Sequence, residues 1–180
     1  AGDLNGDSHV DLISSSGVNL FFFTGDGTGD FVLSKTTPLE RRLLQMQTLD
    51  VNGNGSLDLL SLNLDSRRAF TLFQNDGRGN FFRSDSSTTI QGTSAVTPAD
   101  LDLDGDQDLA TISANGGLLI YWNDEPNSVT YITQAYRIGV EDNASEPHGG
   151  AVGDVNGDGF PDVVTVTGYT QTLNVQINKG

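Results

Sequence analysis

Carboxylates and carboxamides at alternate positions are the groups in this sequence best suited to chemistry. Four nine-residue segments align without gaps: Asp3 to Asp11 (DLNGDSHVD), Asp50 to Asp58 (DVNGNGSLD), Asp100 to Asp108 (DLDLDGDQD) and Asp154 to Asp162 (DVNGDGFPD). Positions 1, 3, 5 and 9 carry Asp or Asn in every copy. A tight turn that gathers such oxygens on one point suits a hard cation, since Ca²⁺ takes about six to eight oxygens at about 2.3–2.6 Å. Position 7 varies freely (His9, Ser56, Asp106, Phe160), as expected of a residue that offers only its backbone carbonyl. Position 6 is Gly in three loops and Ser8 in the first, in keeping with a sharp turn where positive φ is easiest for glycine.

Two other readings of these loops compete. An EF-hand loop also begins D-x-[DN]-x-[DN]-G, but it needs a bidentate Glu at position 12 and flanking helices. Here position 12 holds Ser14, Ser61, Thr111 or Thr165, and each loop runs into a short apolar or β-branched stretch that reads as a strand. Asp/Asn/Gly clusters also form metal-free turns; four copies in register argue against that reading.

Thirteen of the 24 acidic residues fall in the four loops, so most of the formal charge of −15 is candidate ligand, and four bound Ca²⁺ would bring it to −7. Nucleic acid is excluded as a partner by that charge, because phosphate recognition needs a basic footprint. No apolar run reaches the roughly 18 residues of a membrane span, so no direct membrane insertion is expected. The absence of Cys removes disulfides and thiolate chemistry. With only His9 and His148, no nucleophile–base constellation stands out, and the prediction is a non-enzyme. Paired acids for glycoside hydrolysis are conceivable among the five Asp at 100–108, but metal ligation already accounts for them.

The loops recur 47, 50 and 54 residues apart. Each is followed by a strand-like run, then by a turn: Thr24 to Phe31, Gln74 to Phe81, Asn123 to Pro126, and Asn178 to Gly180. Asp/Asn-Gly turns between apolar runs are hairpin signals. No segment has a sustained helical period. The sequence therefore predicts an all-β protein with about four strands per 50-residue repeat, the size of one four-stranded antiparallel blade of a β-propeller. The chain begins inside an acidic loop and stops after a third-strand turn. Three arrangements follow: part of a larger ring, which the phase favours; a closed four-bladed ring; or two copies completing an eight-bladed one. Residues 1–180 are read as one propeller region.

The pattern G-D-[LV]-N-G-D-x-x-x-D-[LV] at Gly2 to Leu12 and Gly153 to Val163, with N-D-G-x-G-x-F at Asn75 to Phe81, resembles the FG-GAP/VCBS repeats of integrin α-subunit-type propellers and of many bacterial extracellular proteins. The resemblance covers the whole chain. It implies calcium in up to four first-to-second-strand hairpins, held by Asp3, Asn5, Asp7 and Asp11; Asp50, Asn52, Asn54 and Asp58; Asp100, Asp102, Asp104 and Asp108; and Asp154, Asn156, Asp158 and Asp162. It also implies an extracellular, secreted or cell-surface module that recognises a protein or a glycan, with a portion of a secreted polysaccharide-active enzyme as the alternative. Asn54 in place of Asp and Ser8 in place of Gly depart from the pattern. The 50–58 loop, with two Asp, is expected to bind weakest and the 100–108 loop tightest. Arg41, Arg42, Arg67 and Arg68 supply four of the nine positive charges, and they predict a patch for an acidic ligand.

Overall fold

The computed structural model describes residues 1–40, 42–63, 70–84, 93–113, 118–123, 132–134, 147–167 and 172–180. All regular structure among them is β-strand. The chain folds as two compact units, Ala1–Ser87 and Thr88–Gly180.

The first unit holds β1 (Leu12–Ser16), β2 (Asn19–Gly25) and β3 (Phe31–Pro38) in one antiparallel sheet, and β4 (Leu43–Leu49), β5 (Asp58–Asn63), β6 (Phe70–Asn75) and β7 (Phe81–Ser84) in a second. Strand identity follows side-chain alternation. In β2, Leu20 and Phe22 turn inward while their neighbours are half-buried, the period of two that a sheet requires. Leu20, Leu59 and Phe73 form the buried centre, flanked by Ile13, Leu39, Leu43, Met46 and Phe81. The rings of Phe22 and Phe81 meet tilted, with centroids 6.3 Å apart. Glu40 and Arg83 form an ion pair beside this layer.

The second unit repeats the plan with β8 (Thr93–Ala99), β9 (Asp108–Ser113), β10 (Leu118–Trp122) and β11 (Ile132–Gln134) in one sheet. Its second sheet holds β12 (Pro147–Gly153), β13 (Asp162–Thr167) and β14 (Thr172–Gln176). Ala110, Ile112, Leu118 and Ile120 pack with Val163 of the next sheet, and Val152 and Trp122 border them. Gly150 on β12 allows this approach: a Cβ there would collide with the Ile112 side chain and lie 2.8 Å from the Val164 carbonyl. Pro98 sits in β8, the outer strand of its sheet, where the missing N–H breaks no ladder bond on the free edge.

Every acidic segment therefore leads directly into the second strand of its repeat: β1, β5, β9 or β13. The buried residue at position 2 (Leu4, Val51, Leu101) anchors the near end of the first three loops in apolar surroundings.

Candidate metal sites

The odd spacing has a local cause. Each position-3 carboxyl or carboxamide oxygen accepts the N–H two residues on: Asn5 from Asp7 at 2.9 Å, Asn52 from Asn54 at 3.2 Å, Asp102 from Asp104 at 3.2 Å and Asn156 from Asp158 at 2.8 Å. Position 5 repeats the step toward position 7, through Asp7, Asn54, Asp104 and Asp158 at 2.8–3.1 Å. These successive Asx turns need short side chains with an acceptor oxygen, which Asp and Asn supply as Oδ1. Position 1 then gathers the N–H groups of the bend. Asp3 accepts from Gly6 at 2.7 Å and Ser8 at 2.8 Å, and Asp154 accepts from Gly157 at 2.7 Å and Gly159 at 2.9 Å. The Ser8 N–H, foremost, holds the Asp3 carboxyl below the ordinary carboxylate value, and the Gly159 N–H does the same for Asp154.

The bend uses positive φ at position 4 as well as at position 6: Gly6 and Ser8, Gly53 and Gly55, Leu103 and Gly105, Gly157 and Gly159. Leu103, at φ 65° and half exposed, is an L-residue held in this left-handed conformation. Leu103→Gly is therefore expected to stabilise the protein by about 1 kcal/mol, the cost of holding an L-residue there. Chemical denaturation of the two proteins checks this; a loss of stability would contradict it.

Position 9 has a role that spacing alone did not reveal. Asp11, Asp58, Asp108 and Asp162 are fully buried, and each uses both oxygens to join backbone segments. One oxygen accepts the position-2 N–H, from Leu4, Val51, Leu101 and Val155 at 2.9–3.2 Å. The other accepts an N–H from the end of the third strand of the repeat, from Gly25, Asn75, Asn123 and Asn178 at 2.7–3.1 Å. The closing aspartate thus ties its loop to the far turn of its own sheet.

The third loop gathers the most charge. Asp100, Asp102 and Asp108 bring carboxylate oxygens within 4.8 Å of one another. Asp100 Oδ1 and Asp106 Oδ1 are buried with no hydrogen-bond partner. Burial, then repulsion from Asp104 and Asp108, pushes the Asp106 carboxyl up to about 7; burial likewise raises Asp108 to about 6 and shifts Asp102 upward. Buried acceptors with no donor, among carboxyls that resist ionisation, are the electrostatic complement of a divalent cation. The donor set, oxygens throughout, fits calcium. At position 7 the structure adds a side chain to the carbonyl expected from sequence: the carboxyl of Asp106 sits within this charge cluster. In the second loop burial raises Asp58, against the N–H donors of Asn75 and Val51.

The other predicted ligands lie in their loops as spaced. Asn5 and Asn156 donate from Nδ2 to Asp7 and Asp158 at 2.9 and 2.8 Å, closing positions 3 and 5 together. At position 7, His9 is exposed with Nδ1 3.6 Å from Asp7, and Phe160 gives its N–H to Asp158. Arg42 is exposed, whereas Arg41, Arg67 and Arg68 lie outside the described residues. Among the described residues no helix is long and apolar enough to cross a membrane.

Comparison with curated proteins returned no match. The profile of the FG-GAP-like repeat matches three overlapping segments, residues 3–61, 50–111 and 100–165, each running from one acidic loop through the next and into the strand that follows it. With these matches spanning nearly the whole chain, the protein belongs to the FG-GAP-like repeat family.

Proposed function

We propose that this all-β repeat protein is a calcium-stabilised recognition module, working outside the cell, whose four sheets serve as propeller blades. The observation that carries the calcium reading is the third loop, where three carboxylates converge and two buried oxygens lack a donor. Calcium there would be held by Asp100, Asp102, Asp104 and Asp108, with Asp106 adding charge; the ion would supply the positive field that these carboxyls lack. The same residue types at the same positions support the assignment in the other loops, with Asp3, Asn5, Asp7 and Asp11 as the first set, Asp50, Asn52, Asn54 and Asp58 as the second, and Asp154, Asn156, Asp158 and Asp162 as the fourth.

Calorimetric titration of the metal-free protein with Ca²⁺ tests the reading. The tightest phase should vanish when Asp100 and Asp102 are both replaced by Ala, and the weakest should vanish in Asn52→Ala. Equal affinities at these two loops would overturn the ranking, which rests on five carboxylates against two.

Recognition is the proposed purpose of the scaffold, and an acidic glycan or acidic protein segment is the ligand that Arg41, Arg42, Arg67 and Arg68 would suit. Replacing all four with Ala should abolish binding on an array of uronic and sulfated glycans while calcium binding persists. An unchanged array would reject the patch.

A further inference from the structure

Asn75 closes the third strand of the second repeat and is almost fully buried. Its backbone N–H donates to Asp58 Oδ1 at 2.7 Å, and its Oδ1 accepts from Gly77 N at 3.1 Å. Its Nδ2 donates to two carbonyls: Leu57, at position 8 of its own acidic loop, at 3.0 Å, and Leu4, at position 2 of the preceding loop, at 2.8 Å. The Leu4 peptide lies between predicted ligands Asp3 and Asn5, and its N–H is held by Asp11. One carboxamide, 71 residues from Leu4 in sequence, thus bridges two candidate metal loops.

The same bridge recurs in the second unit. Asn178 donates from Nδ2 to Leu101 O at 2.7 Å and to Pro161 O at 3.3 Å, from its backbone N–H to Asp162 at 2.8 Å, and accepts from Gly180. Leu101 again sits at position 2, between Asp100 and Asp102. The bridged position-2 residues are buried: Leu4 and Leu101 are 1% and 3% exposed. In the first repeat Gly25 stands where the others carry Asn; it keeps the backbone bond to Asp11 and has no amide to extend.

Building on the calcium reading, we propose that Asn75 and Asn178 couple the loops in pairs, 3–11 with 50–58 and 100–108 with 154–162, so that a cation held by one loop raises the affinity of its partner. A buried carboxamide keeps its hydrogen bonds only while the loops on both sides are closed. When one loop closes around its ion, the amide is fixed and the second loop has less ordering left to complete, which is positive coupling through shared conformational entropy. A purely structural bridge would instead leave the sites independent.

Every loop carries a glycine amide that reports on it: Gly6, Gly55, Gly105 and Gly159. In ¹⁵N-labelled full-length protein these four signals give separate calcium isotherms. Asp3→Asn with Asp7→Asn silences the first loop, and the Gly55 midpoint should then move to at least about fivefold higher calcium, within the usual span of coupling energies. In an Asn75→Ala background the same silencing should leave Gly55 where it is. Asn178→Ala offers the parallel test on Gly159 should Asn75→Ala fail to fold. A Gly55 midpoint that stays within about twofold on silencing the first loop, against a coupling expected to be fivefold or more, overturns the coupling while leaving the calcium reading intact. No response of any loop glycine up to about 10 mM calcium, above the range of extracellular modules, overturns both.

Discussion

Asp58→Ala is expected to cost about 3 kcal/mol of stability even in chelator, where no metal is bound. The carboxylate accepts backbone N–H groups from Asn75 at 2.7 Å and Val51 at 3.2 Å, with no exposure to solvent. Hydrogen bonds to a charged acceptor contribute roughly 1.5–3 kcal/mol each, and removing the acceptor leaves both donors buried. Burial also raises the Asp58 carboxyl, so part of that gain is offset by desolvation. Asp58→Asn, which keeps one acceptor oxygen, should lose about half as much. Urea denaturation in chelator measures both. A loss below about 1 kcal/mol, less than one such bond contributes, would show that position 9 acts on metal alone and ties nothing together.

Chelation should have the second large effect. At free calcium ten times the dissociation constant, each occupied loop adds about 1.4 kcal/mol, so the four loops of this chain together should shift the melting temperature by about 10 °C or more. The pH dependence without metal has a definite sign. Asp106 and Asp108, raised to about 7 and about 6, contribute stability that is complete below the ordinary carboxylate value and lost as pH rises through 6 and 7. Asp3 and Asp154 are lowered, and their contribution is lost only as pH falls below that ordinary value. Metal-free protein should therefore melt higher at pH 5 than at pH 8. Calcium should reverse the order, because its ligands must be ionised. Scanning calorimetry at the two pH values, with and without chelator, reads all four numbers; a metal-free protein that is more stable at pH 8 would contradict the charge cluster.

Much of the fold was legible because two signals coincide in each repeat. An apolar run such as Leu59 to Leu62 follows an acidic loop, and a Gly-rich turn such as Asn75 to Gly79 follows the next run, so the second and third strands and their hairpins could be placed from the chain. The strands before the loops were harder. β12 reads Pro-His-Gly-Gly-Ala-Val-Gly and has no apolar alternation, because what Gly150 contributes is the absence of a side chain against Ile112. Sequence marks a close approach of this kind only as a glycine, and glycines also mark turns.

The loops show a similar division. Spacing identified which residues have oxygens to offer, and the odd-numbered Asx pattern is both a turn signal and a ligand signal. It did not show that the four position-9 aspartates commit their oxygens to backbone N–H groups 7 and 14 to 17 residues away. Nor did it separate Asp106 from the other position-7 residues, since an extra Asp in a free position looks like tolerance until its carboxyl is found among its neighbours. Leu103 and Ser8 show that position 4 needs left-handed backbone as much as position 6 does; at each of these positions one of the four loops lacks the glycine that would have signalled it.

Equilibrium dialysis of the full chain against radiolabelled calcium is the most direct test that these loops are metal sites and not hydrogen-bonded turns. Four ions per chain should bind at saturating, roughly millimolar calcium, one for each acidic loop, and the count should fall to three when Asp100 and Asp102 are both replaced by Ala. A count of zero in the intact chain, or an unchanged count in the double variant, would contradict it.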